Sequence, residues 1–218
     1  MRFLTIGKYN TWYDWRLTLT SQELTPPEPK TNYIELGGAN GTLDLTEALT
    51  GEVAYADRTY KATFWTSEGT YSDRLRVLQD IVNAVHGQKV PIVLPDDPDH
   101  YLLGRVRVKA QVWDQVHAEV EIEAICDPWL YAVHETERRV EVSGTMDVVV
   151  NNGGRKTISP VVTVSNRMSL TYGGRTVTLS AGTYQVTDLR LSHGANVISV
   201  TGYGTLTFTY REASLQYV

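Results

Sequence analysis

The feature that most constrains this chain is a parity. In "GRVRVKAQVWDQVHAEVEIEAI", Val106, Val108, Val120 and Ile122 fall on even positions, while Arg105, Arg107 and Lys109, then Glu119, Glu121 and Glu123, fall on odd ones. Successive side chains of a strand point to opposite faces, so this run buries its aliphatic set only as half-buried strands. A helix would scatter both sets around its surface. The pattern predicts two strands joined by a turn around Asp114, with the three cations facing the three carboxylates across the pair.

The same parity gives a reading of "TWYDWRLTLT" near the start. Tyr13, Trp15, Leu17 and Leu19 share one face of an opening strand; Trp12, Asp14, Arg16, Thr18 and Thr20 share the other. That makes the first set core and leaves Trp12 at a domain edge or subunit contact, with a platform for a flat ligand as the alternative. "TPPEPK" reads as an extended connector. Asn40-Gly41 marks a turn before a strand in "TLDLTEAL". Val53, Tyr55, Tyr60, Ala62 and Phe64 are candidate inward positions further on. One segment changes period. Leu75, Leu78, Ile81, Val82 and Val85 recur at helical steps, which predicts a helix over about 72–86, capped by Ser72 and stopped by Gly87, with His86 in its last turn.

At "CDPWLYAV", Pro128 is expected to interrupt pairing and mark a boundary between an N-terminal domain, 1–130, and a C-terminal domain, 131–218. Beyond it about eight short strands, separated by turns such as "NNGG" and "TGYG", read as a β-sandwich. The fold class is therefore mainly β, two sandwiches, the first carrying a single helix.

Chemistry is sparse. The chain has no G-x-S-x-G, P-loop, G-x-G-x-x-G or H-E-x-x-H signature. Asp96, Asp97, Asp99 and His100 could ligate a cation, but they lack the spacing of a calcium loop, and Asp beside Pro is ordinary turn chemistry. Glu119, Glu121 and Glu123 could in principle supply an acid/base pair. A solvated face is the simpler reading. No catalytic residue, cofactor or metal ligand is assigned, and no enzymatic activity. A net charge of -5 argues against a protein that grips nucleic acid by neutralising phosphates. The lone Cys126 excludes an internal disulfide, and the first residues read as neither a secretion signal nor a membrane anchor.

Taken in order, "NTWYDWRLTL", "ANGTLDLTEALTGEVAYADR", "HGQKVPIVLPDDPDHYLLGRVRV", "CDPW", "NNGGRKTISPVVTV" and "NVISVTGYGTLTFTYREASL" resemble the distal tail protein (Dit) family of long, non-contractile-tailed bacteriophages. The resemblance runs from about Asn10 to Leu215. It implies an N-terminal sandwich that forms a six-membered ring and a galectin-like C-terminal sandwich. It implies a structural hub at the virion tail tip, made in the bacterial cytoplasm and bound to the tail tube protein and a tail-associated tip protein, with a receptor-binding protein as a further partner. DNA would pass through the ring without specific binding. The candidate interface residues are Trp12, Arg105, Arg107, Lys109, Glu119, Glu121 and Glu123. The alternative function is a carbohydrate-binding module using exposed aromatics.

Overall fold

The structure, a computed structural model, describes residues 2–38, 40–48, 50–112 and 118–215. It divides into two compact units. The first takes in the chain up to Leu130 and also Leu215; the second is Tyr131–Ser214. Both are built of antiparallel strands, and the described residues contain one α-helix. That helix is neither long nor apolar enough to cross a membrane.

The first unit contains β1 (Thr5–Ile6), β2 (Tyr9–Asn10), β3 (Thr18–Leu24), β4 (Tyr33–Glu35), β5 (Thr42–Asp44), β6 (Arg58–Thr66), α1 (Tyr71–Val85), β7 (Lys89–Leu94), β8 (Asp97–Val112) and most of β9 (Ala118–Ala132). Its main sheet runs in the order β2-β1-β7-β8-β9-β6-β3. The sheet curls on itself, because Gln22 of β3 donates to Asp96 in the β7–β8 turn at 2.9 Å, and Tyr60 of β6 donates to Gln22 at 3.2 Å. Tyr60, Ala62 and Phe64 from β6 and Val120, Ile122 and Ala124 from β9 are buried inside, so the even parity is the core face of both strands. Gly104 of β8 lies where a Cβ would come within 2.5 Å of Cys126 Sγ, so only glycine lets these two strands pack there.

The opening segment is not one strand. Residues 11–15 form a turn, and β3 begins only at Thr18. Asn10 causes this: its Oδ1 accepts the Trp12 and Tyr13 N–H groups at 3.0 and 3.1 Å, and Asp14 caps the Asn10 N–H in return. These local bonds compete with a ladder and win. Trp15 and Leu17 are therefore core as expected, whereas Tyr13 is 67% exposed. "TLDLTEAL" likewise holds only three strand residues, those of β5.

The cap of α1 lies two residues before the proposed Ser72. Thr70 is the cap: its hydroxyl accepts the Asp73 N–H while Asp73 bonds back to the Thr70 N–H, a reciprocal pair. The Thr70 hydroxyl, which also donates to Asp73 Oδ2 at 2.6 Å, and then the Thr70 N–H hold the Asp73 carboxyl below the ordinary carboxylate range. The buried stripe is Arg74, Leu78, Ile81 and Val85, at steps of four, three and four. Leu75 and Val82 lie beside it and are exposed, which corrects their assignment to the apolar face. Gly87 has the left-handed φ of 76° that a helix stop requires. His86 is the cap residue, and its Nδ1 accepts the Val108 N–H at 3.1 Å. That bond ties the end of the helix to β8.

Pro128 does not end its strand, for β9 continues to Ala132; what stops there is the ladder with β6, whose last pair is Arg58 with Cys126.

The second unit holds β10 (Thr136–Asn152), β11 (Val161–Val164), β12 (Met168–Tyr172), β13 (Arg175–Leu179), β14 (Gly182–Gln185), β15 (Gly194–Tyr210) and β16 (Ala213–Ser214). β15 is the spine. Its whole length pairs with β10, and its other edge takes β12 along Ser199–Gly202 and β11 along Leu206–Thr209. Four expected strands are thus two long ones. The glycines in "VSGTM" and "TGYGTL" are not hairpin turns: Gly144 and Gly202 face each other inside the ladder. At Gly202 and Gly204 the β11–β12 loop crosses so closely that a Cβ would meet Met168 Cγ at 2.8 Å and Ser165 Oγ at 2.3 Å. Val148, Val150, Ile198, Val200, Leu206 and Phe208 form the core. Buried Asn196 ties its edge, accepting from Tyr172 Oη at 2.8 Å and donating to Val150, Ser192 and Gly194 carbonyls.

Candidate interaction surface

No group of three or more His, Cys, Asp or Glu side chains among the described residues is placed to hold a metal ion. In the "LPDDPDHY" segment the acidic residues have structural partners. Asp96 takes Arg2 and Gln22, and Asp97 pairs with His100 at 2.8 Å. Pro95 and Asp96 alone make the turn, and Asp97 already belongs to β8. In the second unit, Leu170, Val177, Leu179 and Leu189 line a small apolar crevice rimmed by the Arg175–Asp188 ion pair at 3.0 Å. Its walls are mostly apolar, and the charges at its rim already answer each other.

The outward face of the first unit's sheet carries most of the candidate residues. β8 and β9 are hydrogen-bonded neighbours, and their turn around Asp114 lies outside the described residues. Lys109 Nζ sits 2.7 Å from Glu121 Oε1 and 3.3 Å from Glu123 Oε2, the cross-strand attraction that the parity predicts. The bond from Lys109 lowers the pKa of Glu121, while its two carboxylate partners raise that of Lys109. Glu119, Glu121 and Glu123 lie opposite Trp65, Thr63 and Lys61 of β6. Arg105 and Arg107 are exposed; Arg105 donates to the Gly87 carbonyl at 2.7 Å, tying the end of α1 to the sheet. Between them and the helix end is a shallow groove lined by His86, Gly87, Arg105, Arg107, Glu123 and Ile125. Ile125 is 60% exposed.

Trp12 stands apart from this face. It is partly buried, and the Arg16 guanidinium lies 5.5 Å from its ring centroid. Arg16 has a φ of 53°, a strained value for a residue with a side chain. A cation already over the indole leaves less of a platform for a flat ligand.

A further surface lies on either side of the Asn40-Gly41 turn, where no candidate residue was expected. β4 and β5 form a two-stranded sheet of their own, an arm with Tyr33 opposite Asp44 and Ile34 opposite Leu43. Ile34, Leu36 and Leu43 take one side of this arm and are 42%, 51% and 46% exposed. Tyr33 and Asp44, on the other face, look onto Thr46, Glu47 and Val53. Ile34, Glu35 and Leu36 alternate as a strand does, but that does not show that the apolar side has nothing to pack against.

No family model matches the chain, and no curated protein matches it. Among solved structures, the chain is similar to the crystal structure of the SPP1 Dit (gp 19.1) protein, described as a paradigm of the hub adsorption apparatus in phages infecting Gram-positive hosts. The likeness has a TM-score of 0.69 at 16% sequence identity, over 97% of this chain and 99% of that one. From end to end, this chain has the fold of the SPP1 Dit protein.

Proposed function

We propose that this protein is a structural hub of a phage tail tip, a ring of copies that joins the tail tube to the adsorption apparatus. The observation that carries the reading is the likeness to a hub protein over nearly the whole of both chains, with neither one bearing a large unmatched segment. Two local features support it. The described surface offers exposed apolar and charged faces, including Ile34, Leu36, Leu43 and Ile125, and among the described residues no group of three or more His, Cys, Asp or Glu side chains is placed to hold a metal ion. Patches of that kind belong to interfaces.

In this reading the first unit forms a six-membered ring through Arg105, Arg107, Lys109, the three glutamates and Trp12. The second unit is its galectin-like outer sandwich. The tail tube protein, a tail-associated tip protein and a receptor-binding protein are its partners, in a virion assembled in the bacterial cytoplasm. An acidic chain around a channel would let DNA slide, because its phosphates are repelled and not neutralised. Native mass measurement with negative-stain imaging of the full chain tests the proposal. Closed rings of six support it; single chains at every concentration, with binding on a glycan array, favour the carbohydrate-binding alternative.

A further inference from the structure

We infer that the β4–β5 arm of one copy docks, head to tail, into the groove of a second copy lined by His86, Arg105, Arg107 and Ile125. The inference rests on the ring reading and adds to it which surfaces meet.

The two surfaces lie on the same unit and complement one another in two respects. The arm presents Ile34, Leu36 and Leu43 with no core of its own beneath them; the groove presents Ile125 on an otherwise charged sheet face. A two-stranded sheet with its apolar side in water is at best marginal alone, and a second surface over that side stabilises it. Charge supplies the direction. From Thr31 to Glu52 the chain carries Glu35, Asp44, Glu47 and Glu52 and no lysine or arginine, whereas Gly104–Lys109 carries Arg105, Arg107 and Lys109 and no carboxylate. Glu123, the one acid of the groove, is already answered by Lys109 at 3.3 Å, so the groove meets the arm with its two guanidinium groups. The exposed apolar stripe Tyr71, Leu75 and Val82 of α1 is a poorer receptor for an acidic arm, since its exposed Arg76 is already paired with Asp73 at 3.5 Å and Asp80 stands on the same helix. Opposite charges steer such an encounter and fix its register. Because arm and groove are different patches, the contact is heterologous: it repeats from copy to copy and closes as a ring if the rotation allows.

The test uses the full chain and charge reversal on each side. One variant carries Glu35→Lys with Glu47→Lys, the other Arg105→Glu with Arg107→Glu, and near-ultraviolet circular dichroism checks that both are folded. Sedimentation velocity should show self-association of each weakened at least ten-fold, and an equimolar mixture should regain the assembly, since each reversed arm then meets a reversed groove. If the groove-reversed chain is unfolded, Ile125→Ser at its exposed position replaces it, and weakened assembly is again the expected result. Unaltered protein that assembles alongside variants that assemble equally well overturns the arm-and-groove contact while leaving the ring standing. Folded variants whose mixture stays unassembled also overturn it. Unaltered protein that is monomeric throughout overturns the contact and the ring together.

Discussion

Two antiparallel pairs in the first unit, β6–β9 and β4–β5, obey the same alternation and have opposite fates. In the former, Tyr60, Phe64, Val120 and Ile122 vanish from solvent against α1 and the facing strands. In the latter, Ile34 and Leu43 face each other across the ladder and stay in water. Strand pairing is therefore not what stabilises this unit; burial of one face is, at roughly 25 cal/mol for each Å² of apolar surface removed. An alternating strand whose apolar side is left uncovered is a surface awaiting a partner, and that difference separates scaffold from interface here.

The sharpest contrast comes from emptying the core. Phe64→Ala removes a fully buried ring and should cost about 3–5 kcal/mol in the first unit's unfolding by chemical denaturant. A loss below 1 kcal/mol would mean that the β6–β9 face is not the core described. Next in size is the close approach of β8 to β9. Gly104→Ala forces a methyl against Cys126 Sγ and should cost roughly 1–3 kcal/mol, with Cys126→Ala in the same chain restoring part of it. Additive losses would show that the sulfur is not what the methyl meets. The same burial pushes the Cys126 thiol up to about 12, so the unaltered protein should resist alkylation at neutral pH until it is unfolded.

Smaller is the helix cap. Thr70→Ala should cost about 1 kcal/mol near neutrality, measured by thermal unfolding. Its pH dependence has a definite sign. The Asp73 carboxyl is lowered in the folded protein, so its stabilising effect is present above the unfolded value of about 3.9 and is lost as pH falls through the lower folded value. The penalty of Thr70→Ala should therefore shrink in acid, and a penalty that grows would contradict the reciprocal cap. Smallest is the arm: Ile34→Ser with Leu43→Ser should change the stability of dilute protein by less than about 0.5 kcal/mol, because neither side chain is buried there.

Much of this was legible from parity alone. Even positions 118–126 are buried throughout and those of 196–210 are buried except for the half-buried Gly202 and Gly204, and the pairing of Lys109 with Glu121 follows from the same count. Parity also runs straight through Gly202 and Gly204, so the pattern itself showed one strand where glycine suggested a turn. What glycine signalled was a loop passing overhead, a contact distant in sequence. The opening turn was hidden for the opposite reason: Asn10 overrides an alternating pattern with bonds two and three residues long. Of the candidate surface, Ile125 shares the parity of the three glutamates and so was readable as exposed. The bareness of Ile34, Leu36 and Leu43 was not, because whether a strand finds a cover depends on topology and not on its own residues.

Hydrogen exchange followed residue by residue, in dilute and concentrated protein, tests the contrast between the two pairs most directly. Amides of β6 and β9 should exchange slowly at both concentrations, while those of β4 and β5 exchange fast when dilute and become protected as copies associate. An arm that exchanges at the same rate in both, whether fast or slow, would contradict the claim that its uncovered face is closed by another copy.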